Sequence, residues 1–278
     1  MPNDFLQFPI RSDKLSMTTK IQRVVHHEKT PFQTIDILDS EVFGKMLLLD
    51  GHIQLTEFDE HAYHEALVQI PLLSMASPKK ALVVGGGDGG VLRELCKNRS
   101  LERIVMVEID EAVVRASREH LPSLSDGAFD DPRVDLQITD AFEYVKKTDE
   151  KFDLAVVDCT DVYEEEEGEL SEMLFTNEFY EDLKRCLSDT GIVVTQADNL
   201  VFCPYSLEEI RALFASVFPL VGSYQAIVPS FGGFSGYCWA SKGASPVEKW
   251  ADLDVSGLDL RYLNASTHAF AFSPLVFS

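Results

Sequence analysis

Acidic side chains follow several predicted strands, and one of them lies inside a run of glycines. That run is 85–90, Gly-Gly-Gly-Asp-Gly-Gly, and its acid is Asp88. Glycines permit tight turning and a close backbone approach to a ligand. A carboxylate there would repel a pyrophosphate at close range but stabilise an amine or sulfonium cation. The loop therefore favours a sulfonium nucleoside over a nicotinamide dinucleotide; the alternative is that Asp88 points to solvent or caps the following helix.

Two further acids extend this predicted nucleoside site. Glu108 ends the next strand, where a carboxylate can accept hydrogen bonds from both ribose hydroxyls. Asp140 follows the strand predicted over 134–138, and there it can accept from an adenine amino group, with the Ala141 amide nearby. Asp140 can also cap the helix predicted over 141–147, and the two roles are compatible.

A second acidic pair, Asp158 and Asp161, follows the strand predicted over 154–157. Two carboxylates on one loop can hold an alkylammonium chain. A primary amine has a pKa of about 10 and must lose a proton before it attacks carbon. A carboxylate desolvated among other acids has a raised pKa and can take that proton. Asp158 is thus the candidate base, and Tyr63 could position the amine; the alternative is that both aspartates only form a turn.

The elements that must position these residues divide the chain in two. Residues 1–75 are predicted to form a β-rich domain, with a hairpin across Asp50-Gly51 and a helix near 61–72. Residues 76–278 alternate strands with helices, which predicts an α/β domain with a largely parallel sheet and ligands at the carboxyl ends of its strands. Ser206 is predicted to cap the helix that follows it.

Composition narrows the classes of function. The 278 residues are 45% hydrophobic and 25% charged, and the net charge of −22 disfavours nucleic acid and attracts cations, although it could serve solubility alone. A membrane span and a signal peptide are not expected, because no long apolar run is present. Five scattered cysteines suit reduced thiols and a cytoplasmic location. His61 and His64 lack the HExxH spacing, so no metal site is predicted.

Short sequence motifs, each different, are spread along the whole chain. They lie at 27–30 with Gln33, 43–51, Gln54, 63–65, 85–90, 106–110, 130–133, 158–161, 174–176 with 179–180, and 267–270. In these motifs the chain resembles the spermidine synthase family. The resemblance implies a class I methyltransferase-like (Rossmann-like) fold with a small N-terminal β domain, and homodimers or homotetramers.

The resemblance also implies a reaction and the residues that carry it. The aminopropyl group of decarboxylated S-adenosylmethionine, a co-substrate, would pass to a polyamine and leave methylthioadenosine, with no cofactor or metal. The donor would lie against Gln33, Asp88, Glu108, Asp140 and Ala141. The acceptor would lie against His64, Asp88, Asp158 and Asp161, with Asp158 as proton acceptor assisted by Tyr63.

The chain departs from the family pattern at two places. Residues 161–170 contain five glutamates and no proline, where the family usually has a Pro-x-Gly-Pro loop. These glutamates could pair with a longer polyamine or simply form a solvated surface. Phe231 stands where a tyrosine or similar aromatic is more usual.

Putrescine is the expected acceptor, with spermidine as product. The alternatives are a longer acceptor that gives spermine or thermospermine, and a non-catalytic polyamine-binding protein. A methyltransferase that uses intact adenosylmethionine is disfavoured, because its carboxylate would be buried against Asp88.

Overall fold

The computed structural model describes residues 5–11, 14–159 and 176–274. Its N-terminal part is a five-stranded antiparallel sheet in the order β1-β2-β3-β4-β5. The strands are β1 (Phe5–Arg11), β2 (Leu15–Lys29), β3 (Thr34–Ser40), β4 (Gly44–Leu49) and β5 (His52–Thr56). On β3 the side chains of Ile35 and Ile37 are fully buried, and that of Asp36 between them is partly exposed. The β-rich prediction for this region is confirmed.

The hairpin between β4 and β5 turns where the sequence predicts. Asp50 and Gly51 have φ angles of 48° and 81°, and Leu49 pairs with His52. Two consecutive positive φ angles are the signature of a type I′ turn, whose twist matches that of the two strands. Asp50 also accepts a hydrogen bond from the Thr34 amide at 2.8 Å, which ties the turn to β3.

The second sheet has seven strands in the order β11-β12-β10-β9-β6-β7-β8. They are β6 (Lys80–Gly85), β7 (Arg103–Glu108), β8 (Val134–Ile138), β9 (Phe152–Asp158), β10 (Leu187–Gln196), β11 (Leu220–Val228) and β12 (Gly233–Ser241). Strands β6 to β10 pair in parallel, whereas β12 runs antiparallel to both β10 and β11. The predicted class, an α/β fold with a mostly parallel sheet, is confirmed; β11 and β12 were not predicted.

Helices cover both faces of this sheet. The α-helices are α1 (Glu60–Leu73), α2 (Gly90–Cys96), α3 (Glu111–His120), α4 (Pro122–Ser125), α5 (Ala141–Lys147), α6 (Asn177–Cys186), α7 (Pro204–Val217) and α8 (Ala265–Ala271). On β6, Ala81 and Val83 pack into the hydrophobic cluster on one face, and Leu82 and Val84 pack into that on the other. Because both faces are covered, the strand is a continuous apolar run.

Two helices differ in detail from expectation. Helix α1 lies within the predicted N-terminal domain but packs on the large sheet, where the Tyr224 hydroxyl donates to the Ala66 carbonyl at 3.0 Å. The division at residue 75 stays a prediction.

The predicted Ser206 cap is wrong: α7 begins at Pro204, and Ser206 lies inside its first turn. Proline suits the first helical position because its fixed φ is already helical and it has no N–H to satisfy. None of the helices in the described residues is long and apolar enough to span a membrane.

Candidate active site

The carboxyl ends of β6, β7, β8 and β9 open onto one cavity of about 470 Å³. Its acidic side comes from the large sheet and the loops after its strands, and part of its apolar wall comes from the small sheet. The acids that follow β6, β7, β8 and β9 are Asp88, Glu108, Asp140 and Asp158; Asp198 and Asp50 of the hairpin also line the cavity, and the small-sheet wall includes Leu47, Leu49 and Ile53. The cavity thus lies where a parallel sheet with open strand ends is expected to bind a ligand.

The glycine loop is pressed against the end of β9. The Gly86 amide donates to the Asp158 carbonyl at 2.8 Å. Gly85 has a φ of +78°, and a Cβ there would lie 2.2 Å from the same carbonyl oxygen. A side chain at this position would therefore both strain the backbone and collide with β9. This close approach brings Asp88 and Asp158 to the same side of the cavity.

Glu108 lies on the cavity floor at the end of β7. It is 7% exposed, and it accepts a hydrogen bond from the Asp110 amide at 2.9 Å. Burial raises its pKa to about 7, although hydrogen bonds from the Asp110 and Ile109 amides oppose the shift. A Cβ on Gly87 would lie 2.9 Å from the second oxygen of Glu108, so the loop leaves that oxygen room only because residue 87 is glycine.

Gln33 reaches the cavity from the small sheet. Its side-chain amide donates to Asp110 at 3.1 Å, and the Thr30 hydroxyl donates to the same oxygen at 2.8 Å. Asp110 uses its other oxygen to cap α3 through the Ala112 amide. Gln33 is therefore held in place by a residue two positions after Glu108. Its contact with a donor stays a prediction.

Asp140 and Ala141 lie at the start of α5 and line the cavity. Asp140 is the N-cap residue and accepts from the Phe142 amide at 2.8 Å. The helix-capping role is thus present, and it leaves the second carboxylate oxygen outside the cap. The role of Asp140 and Ala141 in holding adenine stays a prediction.

Tyr63 and Asp158 form a short hydrogen bond inside the cavity. The Tyr63 hydroxyl donates to Asp158 Oδ1 at 2.5 Å. Burial and the nearby charge of Asp88 raise the pKa of Asp158 to about 6, while His64 and the Tyr63 hydrogen bond oppose the shift. The Tyr63 ring packs edge-on against Phe231 at a centroid distance of 5.6 Å. The structure therefore brings together the acid and the phenol that the sequence singled out.

His64 is 1% exposed, and both of its ring nitrogens face carboxylates. Nδ1 lies 2.7 Å from Glu60 and Nε2 lies 3.3 Å from Asp88. Burial acts to lower its pKa, but Asp88 and Glu60 outweigh burial and raise the pKa to about 10. His64 is therefore an imidazolium at neutral pH, and its predicted contact with an acceptor has to compete with two carboxylates.

Sequence reasoning missed Glu60 and Arg93. Arg93 donates to both oxygens of Glu60, at 3.0 and 2.8 Å. Part of the signal for Glu60 was available, because Glu60 directly precedes the helix predicted over 61–72 and is four residues from His64; once the helix includes Glu60, as observed, the two share one face. Arg93 gave no comparable signal, since it reaches Glu60 from another helix.

His64, Asp88 and Asp158 could in principle hold a metal ion. One potential ligand atom from each lies within 4.8 Å of the others. However, an imidazolium that donates to two carboxylates has no free lone pair for a metal. The set therefore suits an organic cation, which needs only carboxylate acceptors. Asp161 and the glutamates of 164–169 lie outside the described residues.

The class of the protein follows from its sheet order, its glycine loop and its acidic cavity: it has the class I methyltransferase-like fold. Residues 60–249 match the family model of the spermine/spermidine synthase domain, and residues 8–57 match that of the spermidine synthase tetramerisation domain.

Similar proteins agree in sequence and in structure. A polyamine aminopropyltransferase of Thermoanaerobacter sp. (strain X514) is 38% identical over 94% of this chain and 92% of its own length. One of Serratia proteamaculans (strain 568) is 39% identical over 91% of this chain and 88% of its own length. The chain belongs to this family of enzymes, the polyamine aminopropyltransferases.

Solved structures show the same architecture. A spermidine synthase in complex with the transition-state analogue AdoDATO superposes with a TM-score of 0.89 at 31% identity, over 99% of this chain and 93% of that one. The spermidine synthase of Thermotoga maritima gives a TM-score of 0.88 at 30% identity, over 99% of this chain and 92% of its own.

Proposed function

We propose that this enzyme is a spermidine synthase, which transfers the aminopropyl group of decarboxylated S-adenosylmethionine to putrescine. The observation that carries the proposal is the cluster of Tyr63, Asp88 and Asp158 around one end of the cavity. Two acids and a phenol at this place suit a reaction between two cationic substrates, in which one amine must lose a proton.

The donor fits the side of the cavity formed by β7 and β8. Glu108 would accept from the ribose hydroxyls, with Gln33 alongside, and Asp140 with the Ala141 amide would hold adenine. Asp88 would pair with the ammonium group of the aminopropyl chain, since one of its oxygens is fixed by the Gly90 amide at 2.7 Å. A carboxylate in that place favours the decarboxylated donor, whose tail carries no negative charge.

The acceptor amine would enter beside Asp158. Asp158 takes a proton from the ammonium group, with the Tyr63 hydroxyl orienting the carboxylate. The freed nitrogen then attacks the carbon next to the sulfonium. A C–N bond forms, the C–S bond breaks, and the bonding electrons pass to sulfur. The products are spermidine, a neutral thioether in methylthioadenosine, and one proton.

The remaining wall would hold the methylene chain and far amine of putrescine. Ile53 and Phe231 offer apolar contact, and Gln196 offers a polar side chain. Phe231 lacks the hydroxyl of the more usual tyrosine, so it contributes contact with methylenes and no hydrogen bond. Asp161, outside the described residues, would add a carboxylate for the acceptor.

The experiment that tests the proposal is product identification. The protein is incubated with decarboxylated S-adenosylmethionine and, separately, with putrescine, cadaverine, agmatine or spermidine, and the products are identified by mass. Formation of spermidine and methylthioadenosine from putrescine supports the proposal. Turnover with spermidine but not with putrescine contradicts it in favour of a longer acceptor, and turnover with none contradicts catalysis.

We further propose that the enzyme is a homo-oligomer, because residues 8–57 match a domain named for tetramerisation. Phe5 and Val24 on the first two strands are 57% and 61% exposed, as expected of an apolar surface that a second copy covers. Light scattering on the purified protein tests this. A monomeric mass at micromolar concentration would contradict it.

A further inference from the structure

Charges of alternating sign run from the cavity to the back of α1. Asp88 lies 3.3 Å from His64, His64 lies 2.7 Å from Glu60, and Glu60 lies 2.8 Å from Arg93. The exposed fractions of these four side chains are 13%, 2%, 5% and 13%. A buried charge is costly unless it is paired, so each member of this chain depends on its neighbours.

Arg93 fixes the charge of Glu60. A guanidinium does not lose its proton in proteins, and here its two Nη atoms hold the two Glu60 oxygens in a fork. Arg93 is itself held by the Leu124 carbonyl, at 2.8 Å, and by Glu94, at 3.0 Å. Burial acts to raise the pKa of Glu60, but His64 and Arg93 lower it to about 2. Glu60 is therefore a permanent anion facing His64.

We propose that Glu60 is a positioning residue for the transfer: anchored by Arg93, it keeps the His64 imidazole positively charged and directed at Asp88. The result is one buried cation beside the two acids of the reaction site, Asp88 and Asp158. With that cation present, Asp158 can ionise near neutral pH and serve as a base. In what it says about turnover, the inference rests on the proposed function.

Five side chains of the described residues face the His64 ring or its carboxylate partners, and they determine whether the imidazole is charged. Its own helix contributes Glu60 and Tyr63, the glycine loop contributes Asp88, and β9 contributes Asp158. Helix α2 contributes Arg93 through Glu60, and it also places Gly90 on the ring, where a Cβ would lie 2.2 Å from the imidazole. The ring is thus clamped between helix, loop and strand, and Glu60 holds the nitrogen that faces away from the cavity.

The test is Glu60→Gln, which removes the charge and keeps the size. In ¹⁵N-histidine NMR of the wild-type enzyme, we expect His64 to stay doubly protonated through pH 8. In the variant its titration midpoint should fall by about three pH units, to near neutral pH, because burial of the ring is then opposed by a single carboxylate partner, Asp88. The His64 signals are assigned by their absence from His64→Asn.

The same change should alter catalysis in a defined direction. With its midpoint near neutral pH, His64 is partly neutral in the range where Asp158 titrates, and Asp158 loses part of the cation that helps it to ionise. The acidic limb of the pH profile of kcat/KM should therefore move to higher pH in Glu60→Gln. Glu60→Asp keeps the charge and should restore most of the wild-type profile, which a purely structural role of Glu60 does not predict.

Glu60→Gln leaves Glu94 as the only carboxylate that the described residues show on Arg93, and the variant could fold poorly. The double variant Glu60→Gln with Arg93→Met removes both charges and should show the same fall in the His64 midpoint. Arg103→Gln is the matched control, because Arg103 also forks onto a carboxylate, that of Glu150, but at the opposite end of β7. It should leave both the His64 titration and the acidic limb unchanged.

The outcomes separate the inference from the proposed function. An unchanged His64 midpoint in Glu60→Gln and in the double variant overturns the inference. A lowered midpoint with an unmoved acidic limb overturns the positioning role. If the wild-type enzyme turns over no acceptor while His64 titrates as expected, the proposed function fails and the assignment of the His64 charge is supported.

Discussion

Gln33 of the small sheet donates a hydrogen bond to Asp110, the N-cap residue of α3 in the large domain, at 3.1 Å. Thr30 shares the same carboxylate oxygen. This contact places Gln33, which lies in the loop between β2 and β3, at the edge of the cavity beside Glu108, at the end of β7 in the large sheet. The donor side of the site is therefore assembled from both parts of the chain.

Gln33→Ala should weaken donor binding by about tenfold, the value of one hydrogen bond to a substrate. The effect should appear in the Kd of decarboxylated S-adenosylmethionine measured by calorimetry, and the KM of the acceptor should be unchanged. Gln137→Ala is the control, because Gln137 bonds to Asp135 at 2.6 Å on β8 in a similar way. Equal donor affinity in wild-type enzyme and Gln33→Ala would remove Gln33 from the donor site.

Asp158→Asn should lower kcat by about 100-fold or more, the usual contribution of a general base. The amide of asparagine cannot accept the proton of the acceptor ammonium. Because asparagine has nearly the same size and shape as aspartate, the cavity around the donor should be unchanged. Donor binding should therefore survive. Glu102→Gln, at an acid that is 70% exposed, should retain the wild-type rate. A kcat of Asp158→Asn within threefold of wild type, on the same assay, would rule out Asp158 as the base.

The same variant should be more stable than the wild-type enzyme at pH 8. Because the folded-state pKa of Asp158 is raised to about 6 from an unfolded value of about 3.9, its ionised form is disfavoured by folding. This cost is present above the folded pKa and disappears as the pH falls through the window between the two values. The Tm advantage of Asp158→Asn should therefore shrink between pH 8 and pH 4. A Tm difference independent of pH would contradict the raised pKa.

Tyr63→Phe should move the acidic limb of kcat/KM to higher pH. The Tyr63 hydrogen bond stabilises the ionised form of Asp158, so its loss raises the pKa of Asp158 further. Comparison with wild type under identical conditions cancels the titration of the acceptor itself. Tyr224→Phe also removes a buried hydroxyl, one that bonds to a backbone carbonyl, and should not move the limb.

Gly90→Ala should impair both folding and turnover. A Cβ at this position would lie 2.2 Å from the His64 ring, which cannot move aside because Glu60 and Asp88 hold it. We expect a lower Tm and at least a tenfold loss of kcat/KM, since small displacements at a reaction site are costly. Gly243→Ala is the control: its Cβ would meet only a carbonyl oxygen at 3.5 Å, so wild-type Tm and activity are expected.

Local signals predicted most of the fold. The Asp50-Gly51 hairpin, the glycine loop and the alternation from β6 to β10 each depend on residues close together in sequence. The prediction that Ser206 is the N-cap was wrong because the helix already begins at Pro204, a residue that favours the first helical position. Strands β11 and β12 were not predicted: β12 pairs antiparallel with both β10 and β11 at the sheet edge, and no α-helix lies between β11 and β12 to mark them as alternating elements.

The acids of the site were predictable because each lies at or just after the end of a strand, and the carboxyl ends of parallel strands converge. Their partners were less so. Nothing near Arg93 in the sequence points to Glu60, which lies 33 residues earlier. The charge of His64 depends on that contact and on Asp88, and both arise only when α1, the glycine loop and α2 pack together.

Most acids of the cavity come from the large sheet and its loops, and part of its apolar wall, at Leu47, Leu49 and Ile53, comes from the small sheet. The groups proposed to handle the proton therefore lie outside the small sheet, while its hairpin supplies part of the surface that a substrate would meet. Replacing the β4–β5 hairpin with that of a relative would change the shape of the cavity wall that contacts a substrate. Asp158, Tyr63 and His64 would stay as they are. Such a graft could change which substrate the enzyme selects while it keeps the residues that handle the proton.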